Sequence, residues 1–256
     1  MAIDMPDIRK HVIPLLERMY DIEEEVYILH RYSRKEEYLY YHSVAVAVLS
    51  AYLGMKMDFS KGEWLQIGIA GLLSDSGMAK IDSDILLKTH GLTDIELNEI
   101  KKHPTYSYRL VENIPTITHS VKIAVLQHHE RLDGSGYPYG LSKGKIHRYA
   151  RIIALCDMYH AMTSARLYKA SKSPFKVIEA LQNIKFIKLD PEVVKAFVDS
   201  LASFSIGTKV KLSNQLTGEI VFIDHDDPAK PIVRLPDEQI VSLQQEKSVF
   251  IEEIIK

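Results

Sequence analysis

The sequence predicts a mainly α protein with a small C-terminal antiparallel β subdomain, and three features predict it. Apolar residues recur every three or four positions through most of the chain up to Phe204. Capping signals, glycines and prolines punctuate that pattern. Beyond Phe204 the period changes to short alternating runs rich in Val and Ile, separated by Asn, Gly, Asp and Pro.

The elements follow in order. Ile8, Val12, Leu15, Leu16, Met19, Ile22, Val26 and Leu29 describe one amphipathic helix from Asp7 to about Arg34, with Pro14 set to kink it or delay its start. The stretch from Glu37 to Leu53 is apolar nearly all round, as a buried helix is, and Gly54 reads as its stop. A third helix, Lys61 to Leu73, runs directly into Ser74, Asp75, Ser76 and Gly77. After a loop or short helix between Lys80 and Gly91, the capping box TDIE opens a helix at Thr93 that continues past His103 with a bend at Pro104. Helices are also expected over Thr116 to His129, Tyr149 to Ala165, Pro174 to Ile184 and Pro191 to Phe204. The runs TKVKLSN, TGEIVFIDH, KPIVRLP, EQIVSLQ and KSVFIEEI read as strands. The expected division is an N-terminal helix over 1–35, a helical domain over 36–204 and a β subdomain over 205–256.

Composition narrows the function. The 256 residues are 46% hydrophobic, enough for a full core, and 32 basic against 34 acidic side chains leave a net charge of −2. That balance argues against a general DNA or membrane surface, so any phosphate binding should be local. Cys156 is the single cysteine, which rules out an internal disulfide, and no apolar run is long enough to span a bilayer. A soluble, cytoplasmic protein is the expectation.

His42, Asp75, His103, His128, His129 and Asp157 fall on different expected segments, each beside apolar residues that face an interior. Burying that many imidazoles and carboxylates without partners is costly, and a divalent cation between them removes the cost. Any one of them taken singly reads more readily as a structural residue; the case for a metal lies in the combination.

HHERLDGSGYPYGL, His128 to Leu141, resembles the signature of the HD-GYP family, which returns into RIIALCDMYHAMTSARLYK. Upstream matches are HS at His42, KKHP at Lys101 to Pro104, and ILLKTHGLTDIE, so the likeness spans roughly residues 36 to 200. The resemblance implies an HD-type helical bundle acting on bacterial cyclic di-GMP. The implied cofactor is a divalent metal, one or two ions, iron or manganese first, with zinc, nickel or magnesium also compatible. By analogy Asp75 is the catalytic residue and bridges the ions. His103 and His128 hold one ion, His42 with Asp157 the other, and His129 is an added ligand. Lys80, Arg151, Arg166, Tyr168 and Lys169 match or neighbour positions that bind substrate phosphate or guanine. Asp133, Gly134, Gly136, Tyr137 and Pro138 form the GYP loop, which shapes a turn and is implied to contact a cyclic di-GMP synthase-type partner.

The departures matter as much. Ser74 stands where the family's HD pair has His, Met78 where it has a phosphate-holding Lys, and Tyr38 where members with a third metal have Glu. Ser is a poor ligand for such ions, so one site loses a donor. The expectation is a degenerate member with impaired or absent phosphodiesterase activity and a receptor or scaffold role. The alternatives are an active phosphodiesterase and an interaction module that binds no nucleotide. The β subdomain is expected to support a partner or a homodimer.

Overall fold

The computed structural model describes residues 3–34, 37–165, 171–224 and 227–255. Its helices are α1 (Met5–Glu17), a 3₁₀ segment (Met19–Tyr32), α2 (Tyr38–Lys56), α3 (Lys61–Leu73), a 3₁₀ turn (Ser76–Lys80) and α4 (Ser83–Leu86). They continue with α5 (Asp94–Ile100), α6 (His103–Val111), α7 (His119–Gln127), α8 (Arg148–Thr163), α9 (Pro174–Ile184) and α10 (Pro191–Ser205). A five-stranded antiparallel sheet follows, β1 (Lys209–Leu212), β2 (Thr217–Phe222), β3 (Ile232–Arg234), β4 (Ile240–Ser242) and β5 (Ile251–Ile255), in the order β4-β3-β2-β1-β5. The mainly α expectation and the C-terminal sheet are both borne out. Among the described residues no helix is long and apolar enough to cross a membrane.

α2 is the axis of the bundle. Every residue from Ala45 to Gly54 is buried, as its all-round apolar sequence requires, and it packs against α3, α8 and the 3₁₀ segment. Gly54 does not stop α2. A Cβ there would lie 2.9 Å from Ile67 Cδ1, so the glycine serves a close crossing with α3. Gly71 does the same at the other end of α3, where a Cβ would meet the Val46 carbonyl oxygen at 3.0 Å. The two helices thus run antiparallel, and the start of α2, with His42, lies beside the end of α3, where Asp75 follows.

Two other expectations are corrected. The first helix ends at Glu17, well past Pro14, and Arg18 donates its amide back to Leu15 and Leu16 before the chain tightens into the 3₁₀ segment. The helix opened by Thr93 also breaks, between Ile100 and His103. Its capping box forms as expected, with Thr93 N donating to Glu96 Oε2 at 2.8 Å. Pro104 lies in the first turn of α6 rather than bending a continuous helix, consistent with the absence of an amide hydrogen at that position.

The sheet belongs to the same core. Val210, Leu212, Ile220 and Val233 are fully buried and join one apolar cluster with Phe197 and Leu201 of α10 and Leu181 of α9. Lys176 of α9 lies 3.3 Å over the Phe250 ring, which ties the last strand to the bundle.

Candidate metal centre

α2, the turn after α3, α6, the end of α7 and α8 each deliver side chains to one pocket. His42, His103, His128 and Asp157 are buried there, with Asp75 and His129 only slightly exposed. The sequence-predicted donors therefore converge. They form two overlapping groups, Asp75 with His103, His128 and His129, and His42 with Asp75 and Asp157, each with its ligand atoms within 4.8 Å of one another. Asp75 is common to both.

Local structure aims each of them. Asp75 sits on a turn pinned by Ser107 of α6, whose hydroxyl donates to the Ser74 carbonyl at 2.6 Å and accepts from Gly77 N at 2.7 Å. Gly77 has to be glycine, because a Cβ would lie 2.2 Å from the His103 carbonyl oxygen. His103 Nδ1 donates to Ile100 O and His128 Nδ1 to Val125 O, both at 2.7 Å. A carbonyl only accepts, so these bonds place the hydrogen on Nδ1 and leave Nε2 with its lone pair.

The two Nε2 atoms face each other at 3.3 Å, and both point at Asp75 Oδ1, at 3.2 and 3.5 Å. Three electron-rich atoms at such separations repel unless positive charge lies between them. Protonation of His103 partly meets that demand: burial works against its charged form, but the hydrogen bond and charge of Asp75 outweigh burial and raise its pKa. A divalent cation meets it fully, and the mixed nitrogen and oxygen donor set fits one. Asp75 is itself held well below the usual carboxylate range: burial opposes its charge, but His103 and His128 beside it, with His42 on the other side, outweigh burial whenever they carry a proton. His129 is pushed well below the ordinary histidine value by burial and by the neighbouring His128, so it stays a neutral donor.

On the other side His42 Nε2 lies 2.9 Å from Asp157 Oδ1 and 3.4 Å from Asp75 Oδ2. His129 Nδ1 reaches Asp157 Oδ2 at 3.7 Å, which links the two groups a second time. Asp157 is also held low; burial opposes its charge, but His129 and the bond from His42 prevail. Ser74 contributes nothing toward this side. Its hydroxyl donates to Ala70 O at 2.7 Å, back along α3 and away from Asp75.

The GYP loop roofs the pocket. The Tyr137 ring stacks on His129 at 4.7 Å and 29°, and Lys101 Nζ lies 5.9 Å from the same ring. Glu130, buried, anchors the loop by accepting from Tyr139 N and Leu141 N, each at 2.8 Å. Asp133 accepts from Ser135 N and Oγ and shapes the turn, and the Tyr137–Pro138 bond is cis. Gly134 has the positive φ, +78°, that its role predicts. Gly136 has a different role: a Cβ there would fall 2.5 Å from the His129 carbonyl oxygen, so it permits close approach rather than an unusual φ.

The expected substrate contacts are less gathered. Lys80 is exposed at the end of its 3₁₀ turn. Arg151 donates to Ile146 O, Lys143 O and Asp190 Oδ2, bracing the far end of the loop. Arg166, Tyr168 and Lys169 lie outside the described residues. Sequence reasoning missed Glu130, Ser107 and His160. His160 is buried with its Nδ1 2.9 Å from His42 Nδ1, and its place one turn after Asp157 on the same helix was the available signal.

A model of the HD domain family matches residues 22–193, so the match begins within the 3₁₀ segment that precedes α2. The cyclic di-GMP phosphodiesterase PA4108 of Pseudomonas aeruginosa is 34% identical over 191 residues, covering 75% of this chain and 46% of that protein. The cyclic di-GMP phosphodiesterase PdeB of Borreliella burgdorferi is 30% identical over 211 residues, 81% of this chain and 55% of that protein. A cyclic di-GMP phosphodiesterase of Thermotoga maritima is 34% identical over 182 residues, 70% of this chain and 49% of that protein. The chain thus spans about half the length of the curated relatives it matches. Among solved structures, Bd1817, an HDG"Y"P protein from Bdellovibrio bacteriovorus, superposes with a TM-score of 0.54 at 16% identity, over 77% of this chain and 67% of that one, a likeness of fold. The family match runs through every helix that supplies a donor, and the motif residues meet around one shared carboxylate: this chain belongs to the HD domain family, in its HD-GYP form.

Proposed function

We propose that this chain is a metal-binding module of cyclic di-GMP signalling that recognises the nucleotide but hydrolyses it poorly, acting as a receptor or scaffold. The observation that carries the reading is the position of Ser74: beside an otherwise assembled cluster, its hydroxyl is bonded to Ala70 O. The relatives' names supply the nucleotide class, and the ligand set supports one or two divalent ions.

Bound there, such ions would neutralise phosphoryl charge and lower the pKa of a water. The rest falls to the chain. Asp75 and Asp157, both ionised, set the negative charge that draws cations in. His103 and His128 hold fixed lone pairs toward Asp75. Tyr137 covers His129 and limits water at the loop side; its phenol stays protonated, since burial and the two carboxylates push it far up, and it can donate to a phosphate oxygen. The Lys101 ammonium near that ring offers the phosphate a cation that Met78 does not. On the outer face Tyr139 is 63% exposed, which supports the loop as the contact for a synthase-type partner.

The test is metal analysis together with a hydrolysis assay on cyclic di-GMP in manganese or iron. Binding with turnover far below about 1 per second is expected; ordinary enzyme rates, about 1–10³ per second, would replace this reading with that of an active phosphodiesterase. That second reading is favoured by the relatives being named phosphodiesterases. Calorimetry that shows no nucleotide binding would instead leave a protein-interaction module.

A further inference from the structure

His103 and His128 rest their Nδ1 atoms on main-chain carbonyls. His42 does not. Its Nδ1 meets a second imidazole, His160 Nδ1 at 2.9 Å, and a phenol, Tyr38 Oη at 3.0 Å. Both neighbours can donate as well as accept. The rings are packed together, His42 against His160 at 5.0 Å between centroids and against Tyr38 at 5.1 Å. His160 is 1% exposed, and Ser164 Oγ lies 3.2 Å from its Nε2.

We propose that His160 is the positioning residue for His42, setting which of its nitrogens faces the pocket with a lone pair. The inference rests on the metal reading of the cluster. To offer Nε2 to a cation, His42 has to carry its hydrogen on Nδ1, and the nearer of its two acceptors there is His160 Nδ1 at 2.9 Å, with Tyr38 Oη at 3.0 Å. When His160 Nδ1 accepts it, the hydrogen of His160 lies on Nε2, within reach of Ser164 Oγ. In the opposite arrangement His42 Nε2 donates to Asp157 Oδ1 across 2.9 Å, and Nδ1 accepts from His160 or Tyr38. The ligand form and the closed form thus differ only in where one hydrogen sits on each ring. A partner at position 160 that can only accept would disfavour the closed form, since Tyr38 alone could then donate to Nδ1. That distinguishes the His42 side from the His103 side, where carbonyls have already made the choice.

Three proteins decide it: the full chain, His160→Asp and His160→Phe, each titrated with manganese by calorimetry, with the His42 tautomer read from nitrogen-15 shifts in the metal-free state. In His160→Phe an ion on the His42 side should lose about 10–100-fold in affinity, while the ion on the His103 side holds to within about threefold. In His160→Asp, an acceptor, His42 should move to the Nδ1–H tautomer and the ion on the His42 side should bind at least as tightly as in the native chain. His160→Asp also carries the test if the Phe variant fails to fold. Equal weakening in both variants, or an unchanged tautomer in His160→Asp, overturns the proposal while leaving the metal reading intact. A native chain that takes up no manganese overturns both.

Discussion

The Ser107 hydroxyl donates to the Ser74 carbonyl across 2.6 Å, from one helix to the turn of another. Accepting at the same time from Gly77 N, it holds in place the turn on which Asp75 projects. Ser107→Ala leaves a buried carbonyl and a buried amide without partners, each costing about 1–3 kcal/mol. We expect a clear loss in urea stability and about a tenfold fall in manganese affinity, measured by denaturation and calorimetry; a loss of stability with full affinity would show that the turn does not position Asp75.

Supplying the missing donor should act in the opposite direction. With Ser74→His the HD pair is complete, and with Met78→Lys a cation also stands near the phosphate. Metal affinity should rise about 10-fold or more, and cyclic di-GMP hydrolysis, followed by product chromatography, should rise with it. No gain in either would count against Ser74 as the cause of weak activity.

The GYP loop hangs on Glu130. Glu130→Ala strands the amides of Tyr139 and Leu141, which should exchange their hydrogens far faster and lower stability by about 2–5 kcal/mol. Glu130→Gln keeps one strong acceptor and should be milder. Unchanged exchange in the Ala variant would mean that the loop is held elsewhere.

His30 gives the fold a pH dependence away from the metal pocket. Burial, aided by the Arg31 charge, lowers its pKa from 6.5 to about 4. A depressed value means that the unfolded chain binds the proton more readily, so stability is full above about pH 6.5 and declines toward pH 4, by up to about 1.4 kcal/mol per unit. Denaturation of the native chain and His30→Leu at pH 7 and pH 5 should show a smaller pH difference in the variant; identical differences would remove His30 as the cause.

The sequence made the helices legible because burial in the outer helices follows helical periodicity, most plainly in α9 and α10, while the unbroken apolar run of α2 marks a buried one. It misread where helices end: Gly54 resembles a stop until α3 is seen crossing it, and the chain breaks between Ile100 and His103, just before Pro104, where one bent helix was expected. The metal cluster was legible through motif resemblance, which names residues but gives no distances. His160 escaped because a histidine among apolar residues reads as core, and only packing against His42 gives it a role. Arg151 illustrates the reverse, a residue matched by motif whose hydrogen bonds go to loop carbonyls and Asp190.

His42 and Asp157 lie 115 positions apart in the chain yet touch at 2.9 Å. A cation gripping both would act as a clasp, fastening the entry of the bundle to its middle, and unfolding would first have to release it. Each tenfold rise in free ion above its dissociation constant would then add about 1.4 kcal/mol to stability. Resistance to heat in this protein would become a record of the ions its surroundings supply.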